Sequence, residues 1–174
     1  MQGVLRLVQL LTMAVWVGGL VFFAFILAPV AFATLPSVHI AGLIVGGTLR
    51  VFHVVGLWCG GLFCAATALI FRGARVRTRG RYEMEFLLAA VMLVATAYLQ
   101  WNVLPAMELD RAHAGGVIES AAVDNPARVH FDKLHVRSER VEGSVLFVGL
   151  GVLWLMSREG LPAPTATNGS APGV

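Results

Sequence analysis

Few side chains in this sequence are equipped for chemistry, and the notable ones fall within or beside long apolar runs. His53 is the single ionisable residue between Val51 and Ile70, and along a helix it stands about 25 Å from Ile70. Glu142 stands about 21 Å from Met156 on another apolar run, with Glu139 a turn further on. Measured from one side of a bilayer, the two reach the same depth. Arg50 lies a turn from His53, level with His135 and Ser138, and Gln100 and Asn102 close a third apolar run at similar height. His135, Ser138 or Glu139, and Glu142 recur at i, i+3 or i+4, and i+7, a spacing that puts them on one helix face. The expectation is one polar cluster of Arg50, His53, His135, Ser138, Glu139 and Glu142, with Gln100 and Asn102 beside it. Polar groups at membrane depth are costly and mark candidate sites.

Three chemistries fit such a cluster. In the first it is a lock between helices: Arg50 pairs with Glu139 or Glu142, and His53 bonds a carboxylate or Ser138. Such a buried pair needs complete hydrogen bonding to avoid a net penalty. In the second it is a ligand, ion or proton site opening to one side, with His53 and Glu142 titrating. In the third, His53, His130 and His135, or Met107, hold copper or haem. The third is handicapped by spacing, because His130 and His135 are five apart, about 140° around a helix, where an i,i+4 pair would chelate. No metal or cofactor is the primary expectation, and no catalytic residue is assigned. HExxH, GxSxG, P-loop and Rossmann glycine patterns do not occur, so the familiar soluble enzyme classes find no support. Cys59 and Cys64, also five apart, diverge on a helix and form no CxxC motif; buried, unreactive thiols are expected.

The elements that position these groups follow from composition. The chain has 174 residues, 57% apolar and 13% charged, with a mean hydropathy of +0.78. A soluble domain carries about a quarter charged residues. One small water-facing globule cannot hide this apolar excess. An ordinary soluble enzyme, a disordered chain and a disulfide-stapled module are excluded. Crossing a hydrocarbon core takes about 20 apolar residues, and four runs qualify: residues 7–30, 51–70, 86–104 and 141–156. The fourth is short and needs Val141 and Glu142 to reach across. The expected fold is all-α, a polytopic membrane protein built as a four-helix bundle over residues 1–160. Arg6 and Ala31-Phe32-Ala33 resemble a cleavable signal, but the apolar run far exceeds the usual h-region; an uncleaved first helix is expected.

Residues 105–140 should extend the bundle beyond the membrane. Asp124-Asn125-Pro126 is a helix-start signal, so a helix from Pro126 to Met156 would project about 15 Å from the core. Ser37 after Pro36 starts the second helix early. Past Pro105, which should kink it, the third helix runs on to Gly115-Gly116. Residues 161–174, made of small and proline residues without charge, predict a disordered tail.

Orientation comes from the scarce charges. Phe71 to Arg81 holds five arginines in eleven residues, and an even number of spans puts that loop beside both termini, near Arg6 and Arg158. Pro105 to Arg140 balances five basic residues against six acids. The positive-inside rule then makes the arginine loop and both termini cytoplasmic, in what should be a bacterial inner membrane. The partner is the lipid bilayer and no nucleic acid is called for. Gly42, Gly46, Gly56 and Gly60 form two GxxxG pairs, suited to packing within the bundle or to a homo-oligomer.

Several motifs together resemble a family. Trp16-Val17-Gly18-Gly19 with Phe22, Phe23, Ala28-Pro29 and Phe32, then Leu35-Pro36 and Ala41-Gly42, is similar to the opening of the transmembrane protein 205-like family, a domain of unknown function. Gln100-Trp101-Asn102-Val103-Leu104-Pro105 and Phe131-Asp132-Lys133-Leu134-His135-Val136-Arg137-Ser138 resemble its later motifs. Glu142 stands where such families often have Asn. The resemblance covers residues 5–155 and implies a four-helix membrane protein without an established activity. A fainter similarity, to copper-resistance and haem-binding four-helix proteins, rests on the Trp-x-Gly-Gly pattern; the first helix here has no histidine.

Overall fold

The computed structural model describes residues 2–74 and 76–158; the expected tail and Arg75 lie outside the described residues. Four long helices account for nearly all of it: α1 (Gln2–Thr34), α2 (Val38–Arg72), α3 (Thr78–His113) and α4 (Pro126–Ser157), each long and apolar enough to cross a membrane. No strand occurs among the described residues. The protein is an all-α, polytopic membrane bundle.

The sequence signals place the helix ends. Ser37 caps α2, its hydroxyl accepting from the Ile40 N–H at 3.2 Å. The Asn125 side chain accepts from the Ala127 N–H at 2.9 Å, with Pro126 in the first turn of α4. α3 ends at His113, after which Gly115 and Gly116 take φ of 85° and 94°, a region that favours glycine. At 35 residues, α2 is about 52 Å long. It is therefore longer than a ~30 Å hydrocarbon core.

The helices run up-down-up-down. α1 packs on α2, α2 on α3 and α3 on α4, with a slimmer seam closing α4 onto α1. One end, here the basic end, carries both described termini with Arg6, Arg72, Arg79, Arg81 and Arg158. The other, the histidine end, carries His39, His113, His130 and His135. Between them Met13, Trp16, Val17, Leu20, Phe63, Met92, Val145 and Val152 form the core. Outward faces remain apolar, with Leu10, Phe25, Trp58, Val94, Trp101 and Phe147 all exposed. In a water-soluble bundle those positions would be polar; here they suit lipid.

α1 with α2 and α3 with α4 repeat one pattern. At a single constant offset, Gln9, Met13, Trp16, Leu20 and Pro29 of α1 match Glu85, Ala89, Met92, Thr96 and Pro105 of α3. At another, Leu49, His53, Gly56, Gly60, Phe63 and Thr67 of α2 match Ser138, Glu142, Val145, Gly149, Val152 and Met156 of α4. Apart from the two prolines, almost every member of these pairs is buried. The contacts are reciprocal as well. A Cβ on Gly60 would meet Trp16 at 2.5 Å and Leu93 at 2.6 Å; one on Gly149 would meet Met92 at 3.0 Å and Val17 at 2.6 Å. Trp16 matches Met92, and Val17 matches Leu93. Each hairpin thus plugs its own glycine and its partner's, as a pseudo-twofold axis along the bundle requires.

The prolines follow the same repeat. Instead of a simple proline kink at Pro105, α3 contains a π-helical turn at Leu99–Val103 just before it, and α1 contains one at Phe23–Leu27 just before Pro29. Proline supplies no N–H and crowds the carbonyl four residues back. The wider π turn accommodates both effects without breaking the helix.

Candidate functional site

His53 and Glu142 occupy matched positions on α2 and α4, the diagonal pair of the repeat, so their side chains converge on the bundle axis. His53 Nε2 and Glu142 Oε1 are in hydrogen-bond contact. The imidazole is 1% exposed and the carboxylate 17%. His53 Nδ1 is buried without a hydrogen-bond partner. Ser138, also buried, lies one turn from Glu142 toward the histidine end. Toward the basic end the next layers are apolar and filled by Trp16, Phe63, Met92 and Val145. The arrangement is a buried acid–base pair, partly open on the carboxylate side and sealed beneath. Such a pair can hold one proton between its members or present Nδ1 to a small ligand.

The wider expected cluster is divided among separate places. Arg50 does not pair with Glu139 or Glu142; it reaches Glu108 on α3 at 2.7 Å, both side chains about half exposed. The reason is helix phase. Leu49 and His53 form the inward stripe of α2, and Arg50, one residue on, is turned about 100° away. The same applies to α4, whose buried seam runs Leu134, Ser138, Val145. His135 and Glu139 each fall one position past it, and they pair with each other at 3.3 Å on the surface, His135 stacking on Phe131. Asn102 is exposed. Gln100 lies between α2 and α3 in a groove lined by Val54, Leu57, Trp58 and Trp101, with Oε1 buried and unpartnered.

The three histidines considered for copper or haem are likewise apart. His53 meets Glu142, His130 meets Asp110 at 2.7 Å, and His135 meets Glu139. Among the described residues no three His, Cys, Asp or Glu side chains are gathered as a ready metal centre. Cys59 and Cys64 are free, as their spacing implied, but each is only partly buried where a buried thiol was expected. Gly56 and Gly60 are filled by Trp16 and Leu93, whereas nothing lies within 4 Å of a Cβ placed on Gly42 or Gly46.

A second buried polar layer was not anticipated from the sequence. Near the basic end, Gln9 Nε2 donates to Thr67 Oγ1 at 2.7 Å, and Arg6 donates to Gln9 Oε1 at 3.2 Å and to the Tyr82 hydroxyl. Glu85, fully buried, pairs with Arg81 at 3.2 Å. Gln9 and Glu85 are matched positions of α1 and α3, so this layer sits on the other diagonal. The available signal was a polar residue placed at core spacing at the start of each run: Gln9 four before Met13, and Glu85, just ahead of the third run, four before Ala89.

A profile described as a domain of unknown function, DUF4149, matches residues 11–112. The chain belongs to the DUF4149 family. The matched stretch covers most of α1, all of α2 and nearly all of α3. His53 therefore lies within the part shared with the DUF4149 profile, while Glu142 and the rest of α4 lie beyond it. No curated protein and no solved structure matches the chain.

Proposed function

We propose that this DUF4149 protein is an accessory, transport-related component of a bacterial inner membrane that takes up a small solute, a cation or a proton at His53 and Glu142 from the outer side. The observation that supports this reading is the His53–Glu142 contact on the bundle axis with His53 Nδ1 buried and unpartnered. A buried ionisable pair in a membrane bundle is a functional candidate because its burial carries a cost that packing alone does not recover. The sealed apolar layers beneath the pair favour a site reached from one side over a through-channel. The basic end is assigned to the cytoplasm from its arginines, which gives the histidine end to the outside. Self-association, if it accompanies this role, would use Gly42 and Gly46, since Gly56 and Gly60 are filled from within.

A deletion strain challenged with toxic cations and small organic solutes, then complemented, tests it. Wild-type protein should restore tolerance. His53→Leu/Glu142→Leu, which replaces the pair by apolar volume, should insert and fold yet fail to restore it. Full complementation by the double variant would make the pair a structural lock and end the proposal.

A further inference from the structure

A separate polar cleft opens at the histidine end, outside the apolar spans. It has a volume of about 400 Å³ and is lined by Asp110, His113, Asn125, Pro126, Ala127 and His130. Asp110 and His113 sit one turn apart near the end of α3; His130 comes from the first turns of α4. The Asp110 carboxylate is 11% exposed and takes the Nδ1 of His130 at 2.7 Å, while the His130 imidazole is 57% exposed. A largely buried carboxylate thus contacts one nitrogen of an open imidazole; in the neutral tautomer that donates Nδ1–H to it, Nε2 carries the lone pair. His113 brings a second imidazole to the same cleft.

We propose that this cleft is a binding site for a borderline divalent transition-metal ion, of the class of Zn²⁺, Ni²⁺ and Cu²⁺. Imidazole nitrogen suits these ions, whereas Mg²⁺ and Ca²⁺ require oxygen. A carboxylate behind a ligating histidine, fixing its tautomer and raising its basicity, is the usual support for such a ligand. His130 Nε2 and His113 supply the two protein nitrogens, and Asp110 acts through His130. His113 is solvent-exposed where it lines the cleft, and water would fill the remaining positions. The site draws on none of the axis pair, so the two proposals stand or fall separately.

Tag-free protein in detergent, titrated calorimetrically with Zn²⁺ and with Ni²⁺ in the presence of excess Ca²⁺, tests it. One saturable site per chain is expected. His113→Ala and His130→Ala should each remove it, and Asp110→Asn should weaken it about 10- to 100-fold. His135→Ala, which removes a surface histidine of α4 outside the cleft, should leave it unchanged. Electron paramagnetic resonance of the Cu²⁺-loaded wild type, which needs no variant to fold, should count two nitrogen donors. Absence of saturable binding, fewer than two nitrogens, binding that survives in His113→Ala or His130→Ala, or loss of binding in His135→Ala would each overturn the assignment.

Discussion

His53 and Glu142 touch because they are the same position in two copies of one pattern. Each lies between a buried residue one turn toward the histidine end (Leu49, Ser138) and a buried residue one turn toward the basic end (Gly56, Val145). A pseudo-twofold axis brings matched positions of diagonal helices together, so the pair is placed by the repeat of the hairpins. Gln9 and Glu85 are the corresponding matched pair on the other diagonal, and along α2 the two polar layers, marked by His53 and Thr67, are about 21 Å apart.

The axis pair should show strong energetic coupling. Replacing Glu142 alone by Leu leaves a buried imidazole without its partner and should destabilise the fold by about 3–5 kcal/mol. His53→Leu/Glu142→Leu should cost clearly less than the two single changes added together. Reversible unfolding of the four proteins in mixed micelles measures this; additive losses would show that the contact contributes nothing.

The glycines divide into filled and open. Gly60→Ala and Gly149→Ala force a methyl against Trp16 with Leu93, or against Val17 with Met92, and should each destabilise by about 1–3 kcal/mol. Gly42→Ala meets nothing and should raise the thermal midpoint slightly, since alanine is the better helix former. Thermal melts of the three variants decide it.

Arg50 and Glu108 are both about half exposed, so Arg50→Gln should cost under about 1 kcal/mol. Its effect should disappear in a Glu108→Gln background and persist in a Glu139→Gln background. Coupling to Glu139 instead would restore the partnership expected from spacing alone.

Orientation is open to direct labelling. In a background with Cys59 and Cys64 changed to Ala, Thr78→Cys should react with a membrane-impermeant maleimide only after the cells are opened. Val123→Cys, at 77% exposure near the start of α4, should react in intact cells. The reverse pattern would invert the bundle and make the His53 side cytoplasmic.

The architecture was legible in residue order alone. Apolar runs of spanning length, the Ser37 and Asn125 caps, and the Gly115-Gly116 stop specify four helices and nearly all their ends, because these signals act within a few residues of where they stand. Depth along each helix was equally legible, since a constant rise per residue turns numbering into height; this brought His53 and Glu142 level. Azimuth was not legible at that accuracy. A residue one position from the buried stripe is turned about 100° away, so Arg50, His135 and Glu139 share the right depth yet face outward to partners of their own. Which stripe faces the axis is settled by packing, because it depends on how Trp16, Val17, Met92 and Leu93 seat against Gly60 and Gly149 of neighbouring helices. The same packing brought Asp110, His113 and His130 to one cleft and Gln9 and Glu85 into one layer, relations between distant segments that no local spacing encodes.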